Sequence, residues 1–317
     1  MTIDRLILAA AALFAAGPGM QAQQTYETDD GRARVIGYND MDEMLGAAVR
    51  WIEASGSPQR YSLELKSTRS APAALIAGTS VLAPMGAEME PQDRAAFRAR
   101  WGSDPIVFRI AHDSLTPGTL SSPTGILVGR DNPLRSISLT MARRVFTGSG
   151  TTRWGQLGVK GTWADRPIHT AALAEDTAIG GFALRGPLRA AHFNDGVASK
   201  RQSRDVAAAI AADPQAIGLA NLNFAGPQVR ALAIIDDRGI RHLPNRAGIR
   251  GGGYPFDRFL LIYARLDSYG KLPAPARILL EALLSNEGQA AIAREPRGYI
   301  PLNRRELGEE RRRLSKM

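Results

Sequence analysis

The sequence predicts an open α/β protein of two lobes, and three observations carry that expectation. Short apolar stretches alternate with amphipathic ones in repeated strand, loop, helix units. The chain has 317 residues, more than one small core accommodates comfortably. Neither an internal repeat nor a low-complexity linker divides it, so the chain is expected to cross between its lobes on strands. Ligands of open α/β sheets bind beyond the carboxyl ends of the strands, which places the expected site in loops that follow strands.

Taken in order, Ala33 to Gly37 is a short strand, and Asp40 to Glu53 sets Met41, Met44, Leu45, Ala48 and Ile52 on one helical face. Tyr61 to Lys66 alternates as a strand. Ser70-Ala71-Pro72 then opens a helix with proline in the first turn, where its missing N–H does no harm. Ile106 to Ile110 and Gly125 to Gly129 read as strands, Leu139 to Phe146 as a short helix, and Ile217 to Leu222 and Val229 to Ile235 as strands again. Phe259 to Ala264 is continuously apolar, as a strand covered on both faces is. Pro275 to Arg294 predicts one long helix with Leu279, Leu280, Leu283 and Leu284 inward.

The N-terminus has the organisation of a secretory signal peptide. Arg5 precedes an apolar run from Leu6 to Ala16, Gly17-Pro18-Gly19 breaks it, and Ala22 offers a small residue for cleavage. Residues 1–22 are therefore expected to be removed on export. No later apolar run approaches the roughly 20 residues of a membrane-spanning helix. The chain contains no cysteine, which excludes disulfides, thiolate nucleophiles, Cys-ligated zinc and a lipid-modified cysteine from the sequence given.

The net charge of +9 supports a general attraction for anions. Its cations are scattered apart from Lys200, Arg201 and Arg204 and the tail from Arg304 to Lys316. There, interleaved glutamates predict a solvated helix with Glu to Arg pairs. Aromatic residues make up only 6%, leaving little for base stacking, so no nucleic-acid partner is expected. His112, His169, His192 and His242 lack metal-ligand spacing, and no metal or other cofactor is expected. Gly148-Ser149-Gly150 is not a nucleophile elbow, and Gly251-Gly252-Gly253 lacks the Lys-Ser/Thr of a phosphate-cradling loop. Nothing in these motifs points to an enzyme.

Several stretches carry a resemblance by their collinear order. They are Ser70 to Thr79 with Leu82-Ala83-Pro84-Met85, Gly125 to Val128 with Asp131-Asn132-Pro133-Leu134, and Ser138 to Gly148 with Trp154 to Gly158. Ala216 to Leu219, Gly253 to Leu260, Leu284 to Gln289 and Gly298 to Leu302 complete the series. From about Arg34 to Leu302 the chain resembles the periplasmic phosphate-binding proteins of ABC importers, of the type II solute-binding fold. That resemblance implies a periplasmic monomer that captures phosphate or another small anion and meets an inner-membrane ABC permease. It implies one lobe from residues 34–122 plus 254–302, a second from 123–253, and a basic tail at 303–317.

The family holds phosphate with hydroxyls, helix N-terminal N–H groups and an arginine, donors matched to acceptor oxygens. Transferred by position, the resemblance implies ligand contacts from Asn39 and Asp40, from Ser67, Thr68, Arg69 and Ser70, and from the turn Gly180-Gly181. Ser67, Thr68 and Ser70 are equally readable as helix-capping groups, and Arg69 as a solvated loop charge. Other ligand positions depart from the pattern. Tyr38 stands in the first loop where a serine is expected, Gly86-Ala87 replaces a polar pair, Glu175 falls at the arginine, and Ile179-Gly180-Gly181 replaces Ser-Gly-Thr. Carboxylates at Glu175 and Asp176 would repel a phosphate dianion. The alternative is therefore a family member that has lost phosphate and serves as a sensor, a scaffold or the binder of another solute.

Overall fold

The computed structural model describes residues 26–149 and 152–317, so the segment read as a signal peptide, residues 1–22, lies outside the described residues. The first stretch runs β1 (Ala33–Gly37), α1 (Asp42–Ala54), β2 (Tyr61–Leu65), α2 (Ser70–Ala77), β3 (Leu82–Met85), α3 (Pro91–Trp101) and β4 (Ile106–His112). The middle holds β5 (Thr124–Gly129), β6 (Ser136–Ser138), α4 (Leu139–Phe146), β7 (His169–Leu173), α5 (Ala178–Ala183), β8 (Val197–Lys200) and α6 (Ser203–Ala212). After these come β9 (Ala216–Asn221), β10 (Val229–Ala231), β11 (Ala233–Ile235), β12 (Arg241–His242) and α7 (Arg246–Arg250). The chain returns with β13 (Phe259–Ala264), α8 (Ala274–Leu283), α9 (Asn286–Arg294), β14 (Ile300–Pro301) and α10 (Arg304–Leu314).

The first and last stretches share their sheets. β1 pairs with β2 in parallel, and β13 runs antiparallel between β3 and β4, with β14 on the far edge of β4. Val35, Leu45, Ile52, Phe108, Ile262 and Leu279 meet in one buried core. The middle builds a separate sheet in the order β10-β5-β9-β7-β8, and Ile126, Phe146, Trp154, Leu173, Val206 and Ile217 meet in a second core. Both central strands are covered on their two faces. β9 is buried throughout and β13 from its second residue on, which is why β13 reads as an unbroken apolar run and β9 as one up to Asn221.

The crossing was expected on strands, but β5 and β13, which flank it, each pair within a single sheet, and the passage itself falls on residues 113–123 and 254–258. The Asp113 N–H donates to the Arg258 carbonyl at 2.9 Å, and the Thr124 N–H to that of Phe256 at 3.0 Å, so the two crossings lie side by side.

Three local expectations are corrected. The long helix is two, because Ser285 ends one and caps the next: its Oγ donates to the Ala282 carbonyl at 2.8 Å and accepts from the Gly288 N–H at 2.9 Å. The strand Val229 to Ile235 changes sheets at Leu232, whose N–H donates to Ile126. Before it the chain pairs antiparallel with β5, and after it parallel with β6. The tail helix is not merely solvated. Glu306, Glu310 and Leu314 are buried against the first lobe, and Arg109 donates to Glu310 at 2.6 Å and to Glu309 at 2.8 Å. The expected pairing is present as well, as in Arg305 with Glu309 at 2.6 Å and Arg313 with the buried Glu310 at 3.8 Å.

Candidate ligand cleft between the lobes

A cleft of about 1120 Å³ opens between the lobes. On the first lobe it is lined by Tyr38 after β1, Thr68 and Arg69 after β2, the turn Met85 to Glu88 after β3, and the start of α3. On the second it is lined by Asp176, Thr177, Ala178 and Ile179 after β7 and by Arg201 after β8, with Leu120, Ser121 and Arg258 supplied by the crossing segments. The lining is thus made of loops beyond the carboxyl ends of strands, as open α/β sheets arrange their sites.

The floor forms around Gly86. A Cβ there would come within 2.5 Å of Tyr38 Cε1 and 2.6 Å of Ser121 Oγ, so the absence of a side chain is what lets Tyr38 lie across this point. Tyr38 and Ser121 share a hydroxyl hydrogen bond of 2.9 Å, and burial holds the Tyr38 phenol well above its ordinary range. The Gly86 N–H donates to Thr68 Oγ1 at 3.1 Å, while its carbonyl accepts from Ser121 Oγ at 3.2 Å and from Arg258 Nη2 at 3.1 Å. Arg258 is only 4% exposed. Its Nη1 stands 3.9 Å from Asp113 Oδ2, and its guanidinium 5.6 Å from the Phe182 ring of the second lobe. Asp113 is fully buried, neither of its oxygens has a hydrogen-bond partner, and burial pushes its carboxyl up to about 7.

Behind the floor, His112 ties the crossing to α10. Its Nδ1 lies 2.7 Å from Asp257 and its Nε2 2.9 Å from Glu306, with the ring wholly buried. Burial alone would lower the imidazole, but the two carboxylates outweigh it and raise the ring to about 9. The ring is therefore an imidazolium at neutral pH.

Of the residues that the sequence pointed to, the structure brings Thr68 and Arg69 into the cleft. Asn39 and Asp40 turn elsewhere: Asp40 is buried and accepts from Tyr299 Oη at 2.9 Å and from the Leu120 N–H at 3.2 Å, and the Asn39 amide lies 3.4 Å from Asp40. Ser67 and Ser70 close the turn before α2, with Ser70 Oγ donating to the Ser67 carbonyl at 2.8 Å; neither caps the helix, which starts without a side-chain cap bond. Gly180 and Gly181 are buried within α5, and their N–H groups are taken by Thr177 Oγ1 at 3.0 Å and the Thr177 carbonyl at 2.9 Å. A Cβ on Gly180 would meet the Ala174 carbonyl at 2.2 Å, so this glycine serves close packing.

Glu175 also falls outside the lining. It accepts from the Phe193 N–H at 2.6 Å and pairs with His192 at 2.8 Å, which together hold its carboxyl below the usual range. Asp176 does face the cleft, but Arg201 donates to both of its oxygens at 2.6 and 2.7 Å. Sequence reasoning missed Arg258, Ser121 and Glu88. The available signal for Arg258 was its place, a single arginine at the head of an otherwise apolar strand. Among the described residues no group of three or more His, Cys, Asp or Glu side chains is placed to hold a metal ion.

No family model matches the chain. The phosphate-binding protein PstS of Pseudomonas aeruginosa is 23% identical over 302 residues, which cover 93% of this chain and 90% of that protein. Among solved structures, an ABC-type phosphate transport receptor from Vibrio cholerae aligns with a TM-score of 0.56 at 14% identity, over 84% of this chain and 98% of its own. PstS from Borrelia burgdorferi aligns with a TM-score of 0.54 at 13% identity, over 85% and 99%. Along nearly its whole length the chain is similar in sequence to this phosphate-binding protein, and it shares the two-lobed fold of the two phosphate receptors.

Proposed function

We propose that this chain is an exported receptor that captures phosphate or a related small oxyanion between its lobes and passes it to the membrane subunits of an ABC transporter, without chemistry on the ligand. The cleft carries the reading: loops from both lobes bring the Thr68 hydroxyl and the guanidinium groups of Arg69, Arg201 and Arg258 to one place. A ligand that touches both lobes favours their closure, and an oxyanion has acceptors for donors on each side. The names of the relatives, phosphate-binding and phosphate-transport proteins, support the same reading. Glu88, Glu90 and Asp93 also line the first lobe, and these carboxylates lower the affinity for a dianion without abolishing it, because charges at an open mouth are screened.

Residues 1–22 address the protein to the periplasm in this proposal, and it acts there as a monomer. Calorimetry of the protein, freed of bound anions, against inorganic phosphate is the test. One saturable site is expected, with a melting temperature that rises with phosphate concentration. Absence of binding for phosphate, arsenate and sulfate alike refutes the reading.

A further inference from the structure

We propose that Arg258, which the matched ligand loops do not contain, supplies the charge that holds the anion on the floor of the cleft. This inference rests on the proposed function and names the residue on which that function turns. The other two cleft arginines are poorly suited. Arg201 gives its charge to Asp176, both side chains being 69% exposed, and Arg69 is exposed in the turn before α2. Exposed charges of this kind contribute little to binding.

Arg258 differs on each count. It is 4% exposed, yet of its five N–H donors only one, on Nη2, is used among the described residues, and Nε is buried with no partner. Buried donors are ordinarily satisfied, and those left over mark a place where a further acceptor completes the structure. Asp113 stands 3.9 Å behind the fork, too far to occupy its donors, and burial disfavours the charged form of its carboxyl, so it answers the Arg258 charge only in part. Beside it, the Thr68 hydroxyl accepts from Gly86 and keeps its own hydrogen to donate toward the cleft. A compact anion with several acceptor oxygens meets these requirements. A cation is repelled by Arg258, and a neutral solute leaves its charge unanswered.

The test pairs calorimetry against inorganic phosphate with nitrogen-15 spectra of the arginine Nε–H groups of the unmodified protein. Arg258→Gln is expected to weaken phosphate binding by roughly 10- to 150-fold, the range for loss of a charge-assisted contact. The Arg258 Nε–H resonance of the unmodified protein is expected to shift along the same saturation curve. Binding within about twofold of the parent in a cooperatively folded Arg258→Gln protein overturns this inference and leaves the proposed function standing. An Arg258 resonance that stays fixed while phosphate saturates the protein does the same, and it decides the matter if the variant fails to fold. A parent that binds no phosphate overturns both.

Discussion

Raising the pH should weaken the joint between the lobes through His112, because its charge is what two buried carboxylates are built around. The ring is wholly buried, and the partner side chains Asp257 and Glu306 are 7% and 3% exposed, so solvent screening does not dilute the interaction. A folded-state value of about 9 against an ordinary 6.5 corresponds to roughly 3 kcal/mol at 1.36 kcal/mol per unit. The folded value lies above the unfolded one, so this stabilisation is fully present below pH 6.5 and is lost as pH rises through about 9. Urea unfolding measured from pH 6 to 9.5 should show the decline. His112→Gln, which strands two buried carboxylates, should cost about 3–5 kcal/mol at pH 6 and flatten the pH profile over that interval. A parent whose stability does not fall across this range, or a variant with the parent's slope, refutes the assignment of a buried imidazolium.

Further expectations concern the cleft. Neutralising Glu88 or Asp93, as Glu88→Gln or Asp93→Asn, should tighten phosphate binding by about 1.5- to 5-fold at low salt, with the gain fading in 0.5 M salt by calorimetry. Arg69→Ala should weaken binding by no more than about fivefold, as an exposed charge does, in contrast to Arg258→Gln. Gly86→Ala drives a Cβ into Tyr38 and Ser121 and should destabilise the fold by about 1–3 kcal/mol in denaturant melts; combining it with Tyr38→Ala should recover part of that loss. Asp176→Asn frees Arg201 from its partner and should increase phosphate affinity, and an unchanged dissociation constant would show that Arg201 does not reach the ligand.

Much of the framework was legible in the chain itself. The strands Ala33–Gly37 and Phe259–Ala264 and the helix Leu139–Phe146 appear with the boundaries read from periodicity, because local burial patterns and caps, such as Ser138 Oγ accepting from Met141, are written in adjacent residues. The helix break at Ser285 is a local cap, but the other expectations that failed turned on remote contacts. The break at Leu232 depends on which strand lies on either side, and the burial of α10 depends on Arg109, some 200 residues earlier. The site shows the same division. Loop position predicted Thr68 and Arg69, whereas Gly180 and Gly181 are buried within α5, whose tight approach to the end of β7 leaves no room for a side chain at Gly180. Glu175 was drawn away from the cleft lining by His192 and the Phe193 N–H, and Arg258 was placed on the floor by a crossing segment that meets Gly86 from 172 residues away. Composition and pattern determine which segments can become strands, helices and loops. Which donors remain unspent beside the cleft is decided only when distant segments pack, since a hydrogen bond is a property of the pair and not of either residue.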